Sequence, residues 1–520
     1  MNLIRHSVYA NGGTFSDPVI HWYAIGVRTL QERPLDSKLG WRFMAAIHGI
    51  NKPLWQRYGY LTPGEPEPIQ SEQARYWNQC PHGNWFFLPW HRGYIWALET
   101  ALREAIIDEG GPSDWALPYW NYSDNTNPNA RVLPPAFRRT DMPDGSPNPL
   151  FVVQRYGSGT SPIILDAVDV DINSMNTHFF TSIGMLSGFG GGKTVLLRGR
   201  PQAGTGTLED VPHNNVHGAL GGRDNRGPGL MSTTVAAALD PIFWLHHCNI
   251  DRLWALWSQT NSDSSDSAWL DGPTDRPMVI PMTDGSDWEY TSQDMLDTTS
   301  PELNYTYDEL VVTSTRSMAV STRTSGTHVP SAVRSAGATM ASTTSSELIG
   351  ANSDRIWISG QRTVSELQLD ADLFQTVQKS READLIRSRS TRSITESQAV
   401  EQAKQHFLLS LESVRCASDG GIIDVYVNLP EGVEPKSRPD LRAGSIALFG
   451  VQEASEPDQP HGGMGIHRVM DITHILENLS DDGDLAEAEI SVQLVPRGDL
   501  DSAEVTIERI GLYRQDMPTE

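Results

Sequence analysis

A chain of 520 residues, 38% hydrophobic and 20% charged, is long enough for two or three domains. Its balance is that of a globular protein and excludes a collagen-like or low-complexity chain. A net charge of −25 opposes nucleic-acid binding because phosphates repel a polyanion, and three cysteines (Cys80, Cys248, Cys416) cannot frame a disulfide scaffold.

The first stretch, MNLIRHSVYANGG, lacks the charged and apolar regions of a secretory signal. No run approaches the roughly 20 apolar residues of a membrane span. The expectation is therefore a cytoplasmic protein with no membrane partner, although export with a partner protein would leave the same trace. In NWFFLPWHRGYIWALETALREAI, Ile95, Leu98, Leu102 and Ile106 recur every three to four residues, which predicts a buried amphipathic helix ending before Gly110 and Gly111. A second helix is expected in TTVAAALDPIFWLHHCNIDRLWALWSQT, restarting at Pro241. The glycine-rich stretch from Ser187 to Gly206 reads as surface loop.

Between Thr313 and Ser346 there is no Asp or Glu and no sustained periodicity. Residues 311–352 read as a Ser/Thr-rich linker, with Arg316, Arg323 and Arg334 open to an activating protease. Beyond it, DRIWISG, HFLLSLESV, IIDVYVNL, SIALFGV, EISVQLVP and EVTIERIGLY read as strands of a small β-sandwich or barrel. Helices are expected around Ala371 to Arg387 and Ile472 to Leu479. The organisation is a mainly α domain over 1–310, the linker, and a β-rich, sandwich-like domain over 353–520.

Chemistry enters with histidine, whose neutral imidazole offers one lone pair while its other nitrogen can be fixed by a hydrogen bond. His213 and His217 stand four apart in EDVPHNNVHGAL, so on a helix both rings face one way. His82 and His91 bracket GNWFFLPW, His247 lies in DPIFWLHHCNIDRLW, and His48 lies in FMAAIHGI. Each alone reads as readily as a satisfied core histidine. Together they imply a histidine-lined pocket in a helical bundle, where an all-imidazole donor set favours Cu, Zn or Fe over Mg or Ca. Six such side chains overfill one ion and suit two.

FLPWHRGYIWALE and DPIFWLHHCNIDRLW closely resemble the two copper signatures of type 3 copper proteins: tyrosinases, catechol oxidases and molluscan haemocyanins. The resemblance implies a four-helix bundle around two copper ions, one held by His48, His82 and His91, the other by His213, His217 and His247. It also implies a thioether between Cys80 and the ring of His82, in QCPH. Tyr305 and Tyr307, in NYTY, resemble the Tyr-x-Tyr that closes the catalytic domain, with Arg5 stacked against it. IIDVYVNLPEG, RAGSIALFG, QLVPRG and VTIERIGL resemble the C-terminal domain of plant polyphenol oxidases, a shield over the copper pocket.

The activity so implied is O2-dependent ortho-hydroxylation of monophenols and oxidation of o-diphenols to o-quinones, latent until the shield is removed. Glu209 and Asn214 take the places of residues that hold a proton-accepting water, and Thr234 and Gly218 take places where small side chains widen the substrate entrance. Met464 and Ile466, between glycines in HGGMGIHR, are candidates for a plug, and His461, Met464 and His467 for passing copper from a chaperone. The competing readings are a catechol or o-aminophenol oxidase without monophenolase activity, and a haemocyanin-like oxygen-binding protein.

Overall fold

The computed structural model describes residues 2–157, 161–198, 204–310, 346–370, 405–458, 462–481, 489–498 and 500–516. The predicted helix at Ala371 to Arg387, the three proposed nick sites and His461 lie outside them.

Among the described helices of the N-terminal domain, five frame its centre: α1 (Pro18–Gln31), α2 (Trp41–His48), α3 (Phe87–Asp108), α4 (Asn215–Gly221) and α5 (Pro241–Trp257). α1 and α5 begin at proline behind an aspartate cap: Asp17 accepts from the Val19 amide at 2.9 Å, and Asp240 from the Ile242 amide at 3.0 Å. α3 is the axis, packing against α1 on one side and α5 on the other. Nine of the 15 tryptophans are fully buried in this domain, so its aromatic richness is core rather than recognition surface.

The ends of the domain meet in a parallel pair, β1 (Leu3–Arg5) with β2 (Tyr305–Tyr307). Arg5 is fully buried there and lies 3.5 Å over the Tyr305 ring. Its guanidinium also bonds Glu99 at 2.9 Å and Asp251 at 3.1 Å, so strand pair, α3 and α5 are tied at one charge cluster. Burial pushes the Asp251 carboxyl up, but Arg92 and Arg5 outweigh it and hold it below the usual range.

The C-terminal domain is one antiparallel sheet of eight strands: β3 (Ser346–Ala351), β4 (Thr363–Leu369), β5 (Gln405–Val414), β6 (Ile422–Val427), β7 (Arg442–Ala447), β8 (Ile466–Asp471), β9 (Glu489–Arg497) and β10 (Arg509–Asp516). Their order is β7-β6-β9-β4-β3-β10-β5-β8, and the two edge strands β7 and β8 approach each other, curling the sheet into a near-barrel. A short pair, Ile356–Ile358 with Val505–Ile507, packs on it, and helices α6 (Val451–Ser455) and α7 (Thr473–Asp481) flank it. The linker reading extends too far: Ser346–Ala351 is a strand paired with β10 and β4, hidden in sequence because SELIGA continues a Ser/Thr-rich run. Ile466, read as loop, begins β8, because its strand hydrogen bonds come from distant β5.

The domains are docked. Arg497 donates from Nη1 to both carboxylate oxygens of Asp169 (2.7 and 2.8 Å), Gln515 bonds the Ile183 carbonyl and Met185 amide, and buried Arg468 pairs with Asp210 at 2.9 Å.

Candidate dinuclear metal site

His48 ends α2, His91 opens α3, His217 lies on α4, and His247 lies on α5. His82 precedes α3, and His213 sits in a wide turn, Glu209–Asn214, interrupted at Val211 (φ −135°, ψ 122°), that leads into α4. The His213–His217 pair thus spans a junction rather than a regular helix, yet its ring centroids are 4.6 Å apart. The rings form two adjoining triads. His48, His82 and His91 have centroids 5.4–5.9 Å apart, while His213, His217 and His247 lie within 5.5 Å. The triads touch where His91 stacks on His247 at 4.2 Å.

Hydrogen bonds fix which nitrogen faces inward. Nδ1 of His48 binds the Thr234 carbonyl at 2.8 Å, that of His91 the Phe87 carbonyl at 2.8 Å, and that of His217 the Met231 carbonyl at 2.7 Å. A carbonyl only accepts, so each Nδ1 carries the proton and each Nε2 keeps its lone pair. Nε2 of His48 and of His213 are buried without a partner, and His217 Nε2 faces His247 Nε2 at 3.3 Å. Burial drives the imidazoles down, His48 to about 4 and the other five well below the usual histidine range, keeping them neutral donors. Bare nitrogens converging in a water-poor core are costly unless a cation joins them, and this donor set fits copper.

His246, beside His247, is also buried in the second group; its Nδ1 is 3.2 Å from the Tyr122 hydroxyl. Sequence spacing did not foresee that contact. Cys80 Sγ lies 3.6 Å from both ring nitrogens of His82 and 3.4 Å from His91 Nε2.

Above the rings, a cavity of about 60 Å³ is lined by Glu209, Asn214, Thr234 and Arg198 from the helical domain, and by Phe449 and Glu453 from the β-domain. Glu209 Oε1 accepts from the Gly83 amide at 2.7 Å and Oε2 has no partner; burial pushes the carboxyl up to about 8, the Gly83 bond offsetting part. Asn214 Oδ1 lies 3.0 Å from His213 Nδ1, so Asn214 braces its neighbouring ring while lining the same cavity as Glu209. Gly218 is not in this cavity: a Cβ there would lie 2.9 Å from Ile422, and the residue lines a separate interdomain cleft.

The cover is Phe449. Its ring stacks on His217 at 3.9 Å and 18° and stands edge-on to His82 and His213 at 5.4 and 5.7 Å. Met464 is exposed and Ile466 reaches only the cavity wall, so the plug comes from SIALFGV rather than HGGMGIHR. A single aromatic two residues beyond a strand carries no sequence signal for such a role, except the glycine that follows it.

Two adjoining triads of neutral imidazoles in a helical core, with a second domain seated over them, define a type 3 dicopper protein. Residues 38–161 and 171–260 match the common central domain of tyrosinase, and residues 345–515 match a domain of unknown function, DUF7868. Tyrosinase HcTyr1 of Hahella sp. (strain CCB-MM4) is 29% identical over 98% of this chain and 99% of its own length. Polyphenol oxidase A1 of Vicia faba is 32% identical over 36% of this chain, a match spanning 32% of the plant enzyme. Among solved structures, latent apple tyrosinase superposes with a TM-score of 0.58 at 20% identity, covering 99% of this chain and 97% of that one. Residues 38–161 and 171–260 thus form a tyrosinase central domain, and these likenesses support a type 3 copper protein of the tyrosinase family, whose cofactor is a pair of copper ions.

Proposed function

We propose that this chain is a latent phenol oxidase. With O2 it converts a monophenol to an o-quinone and one water, or two o-diphenols to two o-quinones and two waters. The convergence of inward-facing imidazole nitrogens from two triads is the observation that carries this reading. His48, His82 and His91 would hold one copper, and His213, His217 and His247 the other. The copper pair supplies the one-electron chemistry that activates O2.

The chain's own groups do the rest. Phe87, 4.5 Å from His91 and 4.6 Å from His213, and Phe243, 5.0 Å from His48, wall the site and exclude water. Glu209, with one oxygen held by Gly83 and the other directed at no protein group, accepts the phenol proton directly or through a water. Thr234 holds His48 by its carbonyl while its small side chain borders the entrance. Latency follows from volume: a cavity near 150 Å³ accommodates benzene, whereas about 60 Å³ remains here under Phe449. An activating protease acting within residues 311–345 would release the cover.

The test is oxygen uptake by copper-loaded protein, cleaved in that segment after folding, with a simple monophenol as sole substrate. Uptake after a lag, with quinone formed, supports a tyrosinase. Catechol oxidation without monophenol uptake would reduce the reading to a catechol oxidase, and reversible O2 binding with neither would overturn it.

A further inference from the structure

The docked cover presents more than a ring. Gly450 (φ +74°), in the left-handed region that favours glycine, turns the chain between Phe449 and α6, so that Phe449 and Glu453 line the same cavity. The phenyl ring lies flat on His217, while the Glu453 carboxylate pairs with Arg198 and accepts from the Thr234 hydroxyl at 3.0 Å. An aromatic ring over the imidazoles and an anionic group at the rim thus occupy one cavity, the two kinds of group that an aryl-alkanoic acid carries.

We propose that Phe449 and Glu453 together act as a pseudo-substrate, and that Arg198, freed when the cover leaves, selects phenols bearing a side-chain carboxylate. This rests on the phenol oxidase reading and names its substrate class. Among the described residues that the helical domain contributes to the cavity, Arg198 is the one fixed cation. The carboxylates on the same side do not cancel it. One oxygen of Glu209 is already taken by the Gly83 amide, from which it accepts at 2.7 Å. Asp210 lines a different cavity, where it meets Arg468 of the cover. Thr234 supplies a hydroxyl beside the guanidinium, so a carboxylate has the two partners that Glu453 now uses.

The experiment compares 3-(4-hydroxyphenyl)propionate with its methyl ester and with tyramine, in the copper-loaded full chain cleaved within 311–345 after folding. A charged hydrogen bond at a partly exposed rim predicts a KM about tenfold lower for the acid than for the ester, and higher still for tyramine. Arg198→Gln collapses the acid-to-ester ratio towards one, Arg198→Lys retains part of it, and Arg198→Glu turns the preference towards tyramine. A purely structural role would shift all three substrates alike. Equal KM values for acid and ester in the parent protein, or a ratio indifferent to Arg198→Gln, would overturn the proposal.

A second readout needs no turnover: calorimetric binding of acid and ester to the zinc-loaded full chain carrying Phe449→Ala and Glu453→Gln. Tighter binding of the acid, lost on adding Arg198→Gln, supports the inference, and equal binding refutes it. Acid preference in the zinc form with no phenol oxidation in the copper form would sink the functional reading alone. Oxidation without acid preference would sink only this one.

Discussion

Replacing Phe449 by alanine separates the cover's grip on the site from its own folding. Phe449 packs within the hydrophobic cluster of the helical domain, whereas the β-domain core is a separate cluster that includes Leu411, Val425, Val492 and Leu512. The ring is 5% exposed, with His217 at 3.9 Å beneath it. Truncating a buried phenylalanine costs about 3–5 kcal/mol. Here that loss falls on docking, because the released domain carries the side chain into water. Taking the lower end, ~3 kcal/mol at 1.4 kcal/mol per decade raises the undocked fraction on the order of 100-fold. Removing the ring also enlarges the cavity of about 60 Å³ over the imidazoles. Catechol oxidation by intact, copper-loaded Phe449→Ala should therefore rise by one to two decades, limited by the rate of the cleaved enzyme. Mass spectrometry establishes that the chain is uncut, and the cleaved parent sets the ceiling. If intact Phe449→Ala is as silent as the parent, while cleavage activates both, the ring is not the cover and latency resides in the polar contacts.

Other perturbations address the remaining parts of the molecule. Glu209→Gln, which keeps the Gly83 contact but removes the base, should lower monophenol turnover by about 10²-fold while sparing diphenol turnover far more, measured as the ratio of initial rates. The parent peptide containing Cys80 and His82 should weigh two hydrogens less than its sequence requires and resist thiol alkylation. Cys80→Ala should show the full mass and lose copper about tenfold faster to a chelator. Arg5→Ala leaves the buried Glu99 and Asp251 carboxylates with one arginine each, Arg103 and Arg92, and should cost about 3 kcal/mol, read as a lowered thermal midpoint. Asp419, fully buried at the interface, has its carboxyl pushed up to about 7 by burial, the Gln452 amide and Thr233 hydroxyl offsetting part. In the released domain water returns it to the ordinary value near 4. Docking therefore takes up a proton between these values: its contribution is fully present below about pH 4 and lost as pH rises to about 7. Leakage from the intact enzyme should rise across that range, and Asp419→Asn should flatten the rise.

The sequence by itself determined the helices and the donor set. α3 and α5 are long apolar-patterned runs, α3 with a proline in its first turn and α5 with a proline behind an aspartate cap, and such local signals survive without tertiary context. Their histidines lie in motifs whose spacing fixes which residues converge. Most strands of the β-domain were legible for the same reason, being apolar runs between turn residues. Tertiary structure decided everything that depends on two distant segments meeting. Ser346–Ala351 and Ile466–Asp471 are strands because β10 and β5 supply their hydrogen bonds, not because their own residues insist on it. Asn214 turns to its neighbouring ring, and Gly218 faces Ile422 instead of the copper pocket. The cover over the histidines is Phe449 with Glu453, residues whose local sequence is an ordinary strand end and an ordinary short helix. Periodicity records which face of an element is buried. It does not record what that face is buried against, because that depends on how the two domains pack, which no local pattern encodes.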